Sequence, residues 1–361
     1  MKSDYLVLFA GGTGGHVIPA VNYGNYLIDC DYNCTLFLDK RGLKYASQFK
    51  GRVLCISSAH FSGNTLYKLK SIFLLLYGLI QSFYYLFKIK PSHCFGFGSY
   101  ASFTPLTVAL VLKALRMTKI HLHEQNSIIG KVNLFFAPFS NNIFINFDNI
   151  INLKSRYAKK IYHVGLPNNN KIFFKKRSIN IVKDKKLKIL IFGGSQGSLN
   201  LNDGFLKIIK KLPGNYYKKL SILMQCPNKQ ANKIKNELKD LGVEYELNNF
   251  FYNIFKILDS SDFVVARSGA GTINDIIQSQ IPSILIPLPH SIYNHQYINA
   301  KYLTDKKAAQ LVEEKDLGSD SAYFAFKKLF DNVDQRISII KNLQQIKILD
   351  ANKLMLNKVF K

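Results

Sequence analysis

Three segments of the chain share one local pattern: an apolar run, a glycine-rich turn, and then a polar residue at the start of an amphipathic stretch. They are "LVLFAGGTGGHV" (6–17), "KILIFGGSQGSLN" (188–200) and "DFVVARSGAGTINDII" (262–277). The apolar runs are short and rich in Val, Ile, Leu and Phe, which favours buried β-strands. Parallel strands need a helical crossover between them, so a repeated strand, turn and helix predicts an α/β fold with parallel sheets.

The remaining pattern divides the chain into two halves. Strands are predicted at 5–9, 34–38, 92–98, 119–124 and 282–289, and helices near 17–29, 104–116 and from about 336 onward. Residues 168–188 are polar and basic, which predicts a linker. Because 361 residues exceed the size at which one core usually keeps growing, we expect two Rossmann-like domains.

The composition is strongly basic. Lys and Arg total 49 against 23 Asp and Glu, a formal net charge of +26. This favours an anionic partner, which could be nucleic acid, anionic lipid or a phosphorylated substrate, although a general bias toward Lys, Asn, Ile, Phe and Tyr explains the charge equally well. The lysines are scattered and no nucleic-acid motif with interleaved aromatics is present, so we do not expect nucleic acid as a partner.

Neither a disulfide framework nor a metal site is expected. The five cysteines include no CxxC pair, which fits a reducing cytoplasm. Asp29 and Asp31 precede the second strand, where a solvated turn is expected. His121 and His123 alternate along one strand without a third ligand in view, which favours hydrogen-bonded histidines over a metal site. We therefore expect no metal and no cofactor.

The segment "KSIFLLLYGLIQSFYYLFKIK" (70–90) allows three interpretations. Its apolar part is at the lower limit for spanning a bilayer, but Gln81 and Ser82 interrupt it. It could instead be a core-packing helix. An interfacial helix, with aromatics in the headgroup layer and flanking lysines near anionic lipid, is the interpretation that we favour.

The glycine turns indicate a phosphate-binding function. A helix that starts directly after a strand leaves main-chain N–H groups free, and its dipole favours an anion there. Several such ends could hold a diphosphate without a metal. The first turn lacks the third glycine of the dinucleotide fingerprint and the Gly-Lys-Ser/Thr of a Walker A loop, although Asp39 could imitate a ribose-binding acid. A tight turn without a ligand is the alternative at each site.

Five motifs together resemble one family. They are "GGTGGH" (11–16), "HEQN" (123–126), "GGSQGS" (193–198), "RSGAGT" (267–272) and "HQYINA" (295–300). In this order they resemble the MurG family of bacterial peptidoglycan N-acetylglucosaminyltransferases. The resemblance implies a GT-B fold, with two Rossmann-like domains whose parallel sheets face each other across a cleft. The implied domains are 1–165 on the acceptor and membrane side and 166–337 on the donor side, with a helix at about 338–361 packing back on the first.

The resemblance also implies a reaction and its setting. The enzyme would transfer GlcNAc from UDP-GlcNAc to the C4 hydroxyl of MurNAc in undecaprenyl-diphospho-MurNAc-pentapeptide (lipid I), with inversion, giving lipid II and UDP. This is a step of cell-wall synthesis, on which cell shape and division depend. Its partners would be UDP-GlcNAc, polyprenyl-linked lipid I and anionic lipids at the cytoplasmic face of the cell membrane, where the protein would be peripheral.

Site residues follow from the resemblance, position by position. Ser195 and the turn with Ala270, Gly271 and Thr272 would hold the diphosphate, Asp275 the ribose, and the backbone of Phe251 the uracil. Gln296 would bond the GlcNAc hydroxyls, while Thr13, Gly14, Gly15 and Asn126 would close over the sugar. Tyr100 and Ser102 would lie on the acceptor side.

Three departures from the family pattern stand out. "VGLPNN" (164–169) replaces V-G-N-P-V-R, so the usual arginine is Asn169. Asp275 is one methylene shorter than the usual glutamate, which would weaken ribose binding. "GSY" (98–100) replaces G-G-Y. The other motif residues are present.

Inversion by direct displacement requires a base for the attacking hydroxyl. His16 begins a helix beside the glycines, and a neutral imidazole there could accept this proton. It could instead only cap the helix or orient the loop. Glu124, at the end of a strand, is the rival base, or an internal hydrogen-bond partner.

Two other enzyme functions remain open. A GT-B glycosyltransferase with a different lipid acceptor would share the glycine turns. An NAD-dependent dehydrogenase could use the first turn and Asp39, but it would leave the second half unexplained.

Overall fold

The computed structural model describes residues 4–59, 65–169, 177, 186–194, 197–251 and 254–360, with only the backbone at 65–68. The chain forms two compact units, Met1–Lys171 with Leu349–Lys361, and Ile172–Ile348. Each contains a parallel sheet flanked by helices. The predicted class, an α/β fold with two Rossmann-like domains, is confirmed. Most of the predicted linker (168–188) lies outside the described residues.

The first unit has a seven-stranded sheet in the order β3-β2-β1-β4-β5-β6-β7. Its strands are β1 (Tyr5–Phe9), β2 (Asn33–Leu38), β3 (Arg52–Cys55), β4 (His93–Gly96), β5 (Lys119–Glu124), β6 (Asn142–Ile145) and β7 (Ile161–His163), and its first four helices are α1 (Gly14–Asp29), α2 (Thr65–Ile89), α3 (Phe103–Ala114) and α4 (Lys131–Phe136). On β1, Leu6 and Leu8 enter one apolar cluster, while Val7 and Phe9 enter another. Both faces of this strand are therefore buried, which explains its unbroken apolar sequence.

The second unit has a six-stranded sheet in the order β10-β9-β8-β11-β12-β13. Its strands are β8 (Leu187–Phe192), β9 (Leu220–Gln225), β10 (Glu244–Asn248), β11 (Phe263–Ala266), β12 (Ser283–Leu285) and β13 (Gln310–Leu311). Its helices are α5 (Leu199–Lys210), α6 (Asn228–Asp240), α7 (Ile254–Ser260), α8 (Ala270–Ser279), α9 (His295–Asp305), α10 (Asp320–Asp331) and α11 (Val333–Gln344).

The C-terminal tail contains two helices rather than the single helix expected at 338–361. The first is α11, in the second unit, and the second is α12 (Ala351–Phe360), which packs on the first unit. Asp350 is the N-cap of α12, because its carboxylate accepts the N–H of Lys353 at 3.0 Å. Met355 is buried in the cluster around α1 and β1, and the ring of Phe360 stacks on Tyr32.

The three predicted glycine turns follow the central strands of the two sheets. In the first unit the chain order reverses at β1, which lies between β2 and β4. In the second unit it reverses at β8, which lies between β9 and β11. Crevices beyond the carboxyl ends of strands at such switch points are the usual ligand sites of doubly wound sheets. The turns after β1, β8 and β11 are therefore placed for ligand binding.

The inner face of α2 is fixed closely to the first unit. A Cβ on Gly78 would lie 2.1 Å from the main-chain oxygen of Ser57, so only glycine allows this approach. The Gln81 side chain accepts the N–H of Ser57 at 2.8 Å. Ser82 is fully buried and donates to the carbonyl of Gly78 at 2.7 Å. Of the two polar residues that interrupt the apolar segment, Gln81 thus attaches the helix to the domain, while the hydrogen bond of Ser82 lies within the helix.

The outer face of α2 is apolar and exposed. Phe73 is 71%, Ile80 67% and Tyr84 58% exposed, and their spacings of seven and four residues place them along one stripe of the helix. Among the described side chains of the helix, the other exposed apolar ones are Leu69, Ile72, Leu74, Leu76, Tyr77 and Phe83. Within the described chain, Leu69–Ile89 is the one helix long and apolar enough to cross a membrane. Its exposure does not fit the core-packing interpretation.

Candidate functional site

The first glycine turn is held by a buried carboxylate. Asp39, at the end of β2, is 4% exposed and accepts the N–H groups of Gly12 at 2.8 Å and Gly42 at 3.1 Å. Arg41 completes the arrangement with an ion pair of 2.7 Å. The oxygens of Asp39 are thus already engaged inside the unit. This removes the ribose-binding acid on which the dehydrogenase alternative depends.

Helix α1 begins at this turn without a side-chain cap. Its N-cap, Thr13, has an extended backbone and makes no side-chain capping bond. Thr13 and Gly15 are exposed, and Gly14 is buried. The first main-chain N–H groups of an uncapped helix need acceptors from outside the helix. The amides of Gly14 and Gly15 therefore suit an anionic or hydroxyl-bearing ligand.

His16 lies in the first turn of α1, where two acceptors hold one of its ring nitrogens. Nδ1 is 2.9 Å from the main-chain oxygen of Phe97 and 2.8 Å from Oε1 of Gln125. The ring packs on Gly98, where a Cβ would come within 3.3 Å of two ring atoms. Gly98 also has φ +76°, a conformation that favours glycine. His16 is half-buried, with its ring oriented by groups from β4 and β5.

Glu124 ends β5 in a different environment. The carboxylate is 2% exposed and accepts N–H groups from Asn126, Gly130 and Asn133 at 2.9–3.3 Å. Both oxygens thus accept hydrogen bonds from the segment that follows the strand, which comprises the loop and the start of α4. Asn126 is half-buried and directed toward this carboxylate. Two roles were considered for Glu124, a catalytic base and an internal hydrogen-bond partner. These contacts favour the second role.

The loop after β4 contains both residues expected on the acceptor side. Tyr100 is half-buried, at the start of a short 3-10 helix. Ser102 is fully buried, and its hydroxyl bonds the main-chain oxygens of Phe9 and Gly98. This hydroxyl links β1 to the loop and is not accessible to an acceptor substrate. The prediction that Ser102 contacts the acceptor substrate is therefore wrong.

The turn after β8 is also anchored by a side chain from the neighbouring strand. Gln225, at the end of β9, accepts the N–H of Gly193 at 3.2 Å. A Cβ on Gly193 would lie 2.5 Å from the nitrogen of Ser198, so the turn closes only with glycine there. Ser198 caps α5 by accepting the N–H of Leu201 at 3.3 Å. The expected diphosphate ligand Ser195 lies outside the described residues.

The turn after β11 leaves open space at the start of α8. Ideal Cβ atoms on Gly269 or Gly271 would meet no atom of the described residues within 4 Å. The N-cap, Gly269, provides no side-chain capping bond to this helix, whose first residues are Ala270, Gly271 and Thr272. The helix dipole and uncapped N–H groups favour an anion by about 0.3–1 kcal/mol, or up to about 2 kcal/mol when partly buried. This helix start is the strongest candidate for an anion-binding site in the second unit.

Buried polar contacts fix the same turn from behind. Arg267 forms an ion pair with Glu314 and donates to Ser198 at 2.7 Å, which joins the turns after β11 and β8. Asn299, which is fully buried, donates to the main-chain oxygen of Ser268 at 3.2 Å. Ser268 in turn donates to the main-chain oxygen of Gln296 at 2.8 Å. Hydrogen bonds therefore connect the turn after β11 to the turn after β8 and to α9.

Three other residues expected on the donor side are in the same unit. Gln296 is half-buried, and its Oε1 accepts the N–H of Leu288 at 3.0 Å. Phe251 follows β10 and is buried, with its ring near Phe192. Asp275 is half-buried on α8, and burial raises its pKa to about 7.

No group of three or more His, Cys, Asp or Glu side chains in the described chain could hold a metal ion. The two alternating histidines of β5 make separate contacts: His121 bonds His93 at 2.9 Å, and His123 bonds the main-chain oxygen of Gly165 at 3.0 Å. Asp29 pairs with Lys50. His121, His123 and Asp29 thus serve other contacts.

Gln125, Asn133, Gln225 and Arg267 were not singled out from the sequence, although each orients a candidate site group. Gln125 and Arg267 lie inside two of the five motifs, which is the signal that could have indicated them. The other two have no local signal, because their partners are distant in sequence.

Family models match both units. The glycosyltransferase family 28 N-terminal domain matches residues 6–145, and the family 28 C-terminal domain matches residues 188–354. The crystal structure of Acinetobacter baumannii MurG has the same fold, with a TM-score of 0.81, 22% identity and 99% of each chain covered. The expected GT-B fold class is thereby confirmed, and the two units define a glycosyltransferase.

Curated relatives identify the branch. A protein of Wolbachia pipientis subsp. Culex pipiens is 32% identical over 349 residues, covering 95% of both chains. One from Rickettsia canadensis is 35% identical over 347 residues, covering 94% of this chain and 92% of its own. Both are named UDP-N-acetylglucosamine--N-acetylmuramyl-(pentapeptide) pyrophosphoryl-undecaprenol N-acetylglucosamine transferase. The chain belongs to this family, as its motifs indicated.

We predict that Ser99→Gly stabilises the protein. Ser99 occupies the second position of "GSY" and has φ 70° and ψ 153°, a region that is nearly restricted to glycine and costs about 1–3 kcal/mol for other residues. The greater freedom of glycine in the unfolded chain offsets part of this, so we expect a net gain of about 1 kcal/mol, measured by chemical denaturation. Ser99→Ala, which keeps the Cβ, is the control. Equal stability of the two variants would show that the backbone of Ser99 is not strained.

We predict that Asp275→Asn changes how stability depends on pH. The folded state raises the pKa of this carboxyl from 3.8 to about 7, so it retains a proton that the unfolded chain releases. The contribution of Asp275 is therefore complete below about pH 4 and is lost as the pH rises toward 7. The variant should gain in melting temperature over the wild type between pH 5 and pH 8. Exposed Asp240→Asn is the control, and parallel curves for Asp275→Asn would refute the prediction.

Proposed function

We propose that this protein transfers GlcNAc from UDP-GlcNAc to the C4 hydroxyl of MurNAc in lipid I, giving lipid II and UDP. The observation that carries the proposal is the match, over 92–95% of both chains, to relatives named for this transfer. The uncapped helix starts beyond β1 and β11 support it, because they suit a sugar and a diphosphate.

On the donor side, the diphosphate would lie at the start of α8. The amides of Ala270, Gly271 and Thr272 would bond its oxygens, together with Ser195. This arrangement requires no metal, because the charge of the leaving UDP is stabilised by oriented main-chain dipoles.

The nucleoside and the sugar would take neighbouring groups of the same unit. Asp275 would accept bonds from the ribose hydroxyls, and its shorter side chain and raised pKa would both weaken this contact at neutral pH. The backbone of Phe251 would line the uracil pocket. Gln296 would donate its amide N–H groups to GlcNAc, since its oxygen is already bonded to Leu288.

On the acceptor side, the first unit would supply the groups that surround the transferred sugar. The exposed turn of Thr13, Gly14 and Gly15 would approach it closely, with Asn126 beside it. Tyr100 would contact the lipid-linked acceptor. Ser102 has a supporting role in this scheme, because its hydroxyl is enclosed.

The chemistry is a single displacement with inversion. The C4 oxygen of the acceptor bonds to C1 of GlcNAc while the bond from C1 to the β-phosphate oxygen breaks, and its electron pair leaves with UDP. The hydroxyl proton passes to His16, the general base. Glu124 organises the loop after β5, because its carboxylate already accepts N–H groups from Asn126, Gly130 and Asn133.

The outer face of α2 would dock the protein on the cytoplasmic surface of the membrane. Its exposed apolar stripe is bracketed by Lys70, Lys88 and Lys90, a pattern that suits the interface of an anionic bilayer. Since the inner face is attached through Gly78 and Gln81, the helix would lie in the interface rather than span it. Such docking would bring the enzyme to an acceptor that stays in the lipid phase.

The proposed function predicts transfer of radiolabelled GlcNAc from UDP-GlcNAc to a lipid I analogue. His16→Ala should lower kcat by about 10²–10⁴-fold, the usual contribution of a general base, while binding of UDP changes little. Turnover within a few-fold of wild type at saturating substrates would show that His16 is not the base. No transfer to lipid I, with transfer to another lipid alcohol, would favour the alternative acceptor.

The docking proposal predicts that replacing Phe73, Ile80 and Tyr84 with serine reduces sedimentation with phosphatidylglycerol vesicles by about tenfold or more. Each buried apolar side chain contributes about 1.5–3 kcal/mol on transfer from water. UDP affinity should be unchanged. Phe324→Ser, at a 62% exposed position of the second unit, is the matched control. Sedimentation equal to wild type in the triple variant would exclude this face.

A further inference from the structure

A chain of hydrogen bonds extends from His16 into the interior of the first unit. Oε1 of Gln125 is 2.8 Å from Nδ1 of His16, and Nε2 of Gln125 is 3.1 Å from Nδ1 of His123. Nε2 of His123 is 3.0 Å from the main-chain oxygen of Gly165. Gln125 and His123 are each 1% exposed, so water does not replace these partners. The orientation of each group therefore depends on the next.

The interior end of the chain fixes its direction. A carbonyl oxygen only accepts, so His123 must carry a proton on Nε2 to bond Gly165. Burial lowers the pKa of His123 to about 4, so the ring is neutral at physiological pH. A neutral ring protonated on Nε2 has a lone pair on Nδ1. His123 therefore presents an acceptor to Gln125.

This acceptor determines which way the Gln125 amide points. Its nitrogen donates to Nδ1 of His123 and also to the main-chain oxygen of His123 at 3.0 Å. The reversed amide would place its oxygen against these two acceptors and its N–H groups against His16, which would leave buried groups unsatisfied. The amide oxygen therefore faces His16.

The outer end follows from the same reasoning. Nδ1 of His16 has two neighbours, the oxygen of Gln125 at 2.8 Å and the main-chain oxygen of Phe97 at 2.9 Å. Both are acceptors, so Nδ1 must carry the proton. The lone pair of neutral His16 is then on Nε2. None of the described residues forms a hydrogen bond with this nitrogen.

We propose that Gln125 and His123 are positioning residues that hold His16 as its Nδ1–H tautomer, with the Nε2 lone pair directed at the acceptor hydroxyl. This inference rests on the proposed role of His16 as the base. As the C4 oxygen bonds to C1 of GlcNAc and UDP departs, its proton moves to Nε2. The positive charge that develops on the ring strengthens both Nδ1–H bonds, as a carboxylate does in a catalytic triad, but here with neutral partners.

The first experiment observes the tautomer directly and does not depend on activity. In wild-type protein labelled with ¹⁵N-histidine at pH 8, the His16 ring, assigned by comparison with His16→Gln, should show a protonated Nδ1 and an unprotonated Nε2. A proton on Nε2 would overturn the inference, even if GlcNAc transfer is observed. The expected tautomer would support it even if the substrate proves to be a different lipid.

The second experiment tests the contribution of the chain to turnover. Gln125→Leu removes the acceptor beside His16, and His123→Phe keeps a ring over Phe97 but frees the amide to reverse. We expect kcat to fall about 10- to 100-fold, less than the loss of the base itself because the Phe97 carbonyl remains, with KM for UDP-GlcNAc within about twofold. The His16 spectrum should show a larger fraction of the Nε2–H tautomer in both variants.

The matched control is His121→Phe. His121 lies two residues away on the same strand, is equally buried and stacks on Phe95, but it bonds His93 and not the chain below His16. This variant should keep the wild-type tautomer and kcat. Equal losses in His121→Phe and His123→Phe would show that burial alone matters and would overturn the positioning role, as would wild-type kcat in Gln125→Leu.

Discussion

The structure depends on main-chain N–H groups that strands and helices leave unused where they meet. At the carboxyl ends of both sheets, side chains of neighbouring strands accept some of these groups: Asp39 bonds Gly12, and Gln225 bonds Gly193. The starts of α1 and α8 remain uncapped. Each turn is thus held by protein side chains on one side, while its helix start keeps N–H groups of the kind that can bind a diphosphate without a metal.

The same satisfaction of buried polar groups organises the end of β5. His123, Glu124 and Gln125 are buried, and the side chains of residues 123–126 bond neighbouring segments and each other. Glu124 fixes the loop that follows, and Gln125 orients His16. A base within such a network is preorganised, so little reorganisation remains to be done during the reaction. The "HEQN" motif therefore stabilises the local structure, in addition to any contact with a ligand.

Helix α2 shows how one apolar segment can serve two environments. Gly78 and Gln81 attach it to the first unit, and its opposite stripe remains exposed. Hydrophobicity alone could not separate the three interpretations of this segment, because length and composition fit all of them. The contacts of Gly78 and Gln81 with Ser57 determine which face of the helix is attached to the first unit.

The sequence alone determined the parallel sheets, the three glycine turns and the family, because strand hydrophobicity, glycine turns and motif order are local properties of the chain. The tertiary structure decided which polar groups meet. His16 is separated by 81 residues from Phe97 and by 109 from Gln125, and strand order alone brings them together. The enclosure of Ser102, the loop contacts of Glu124 and the break before α12 were also invisible in the sequence, since burial and hydrogen-bond partners are set by packing between distant segments.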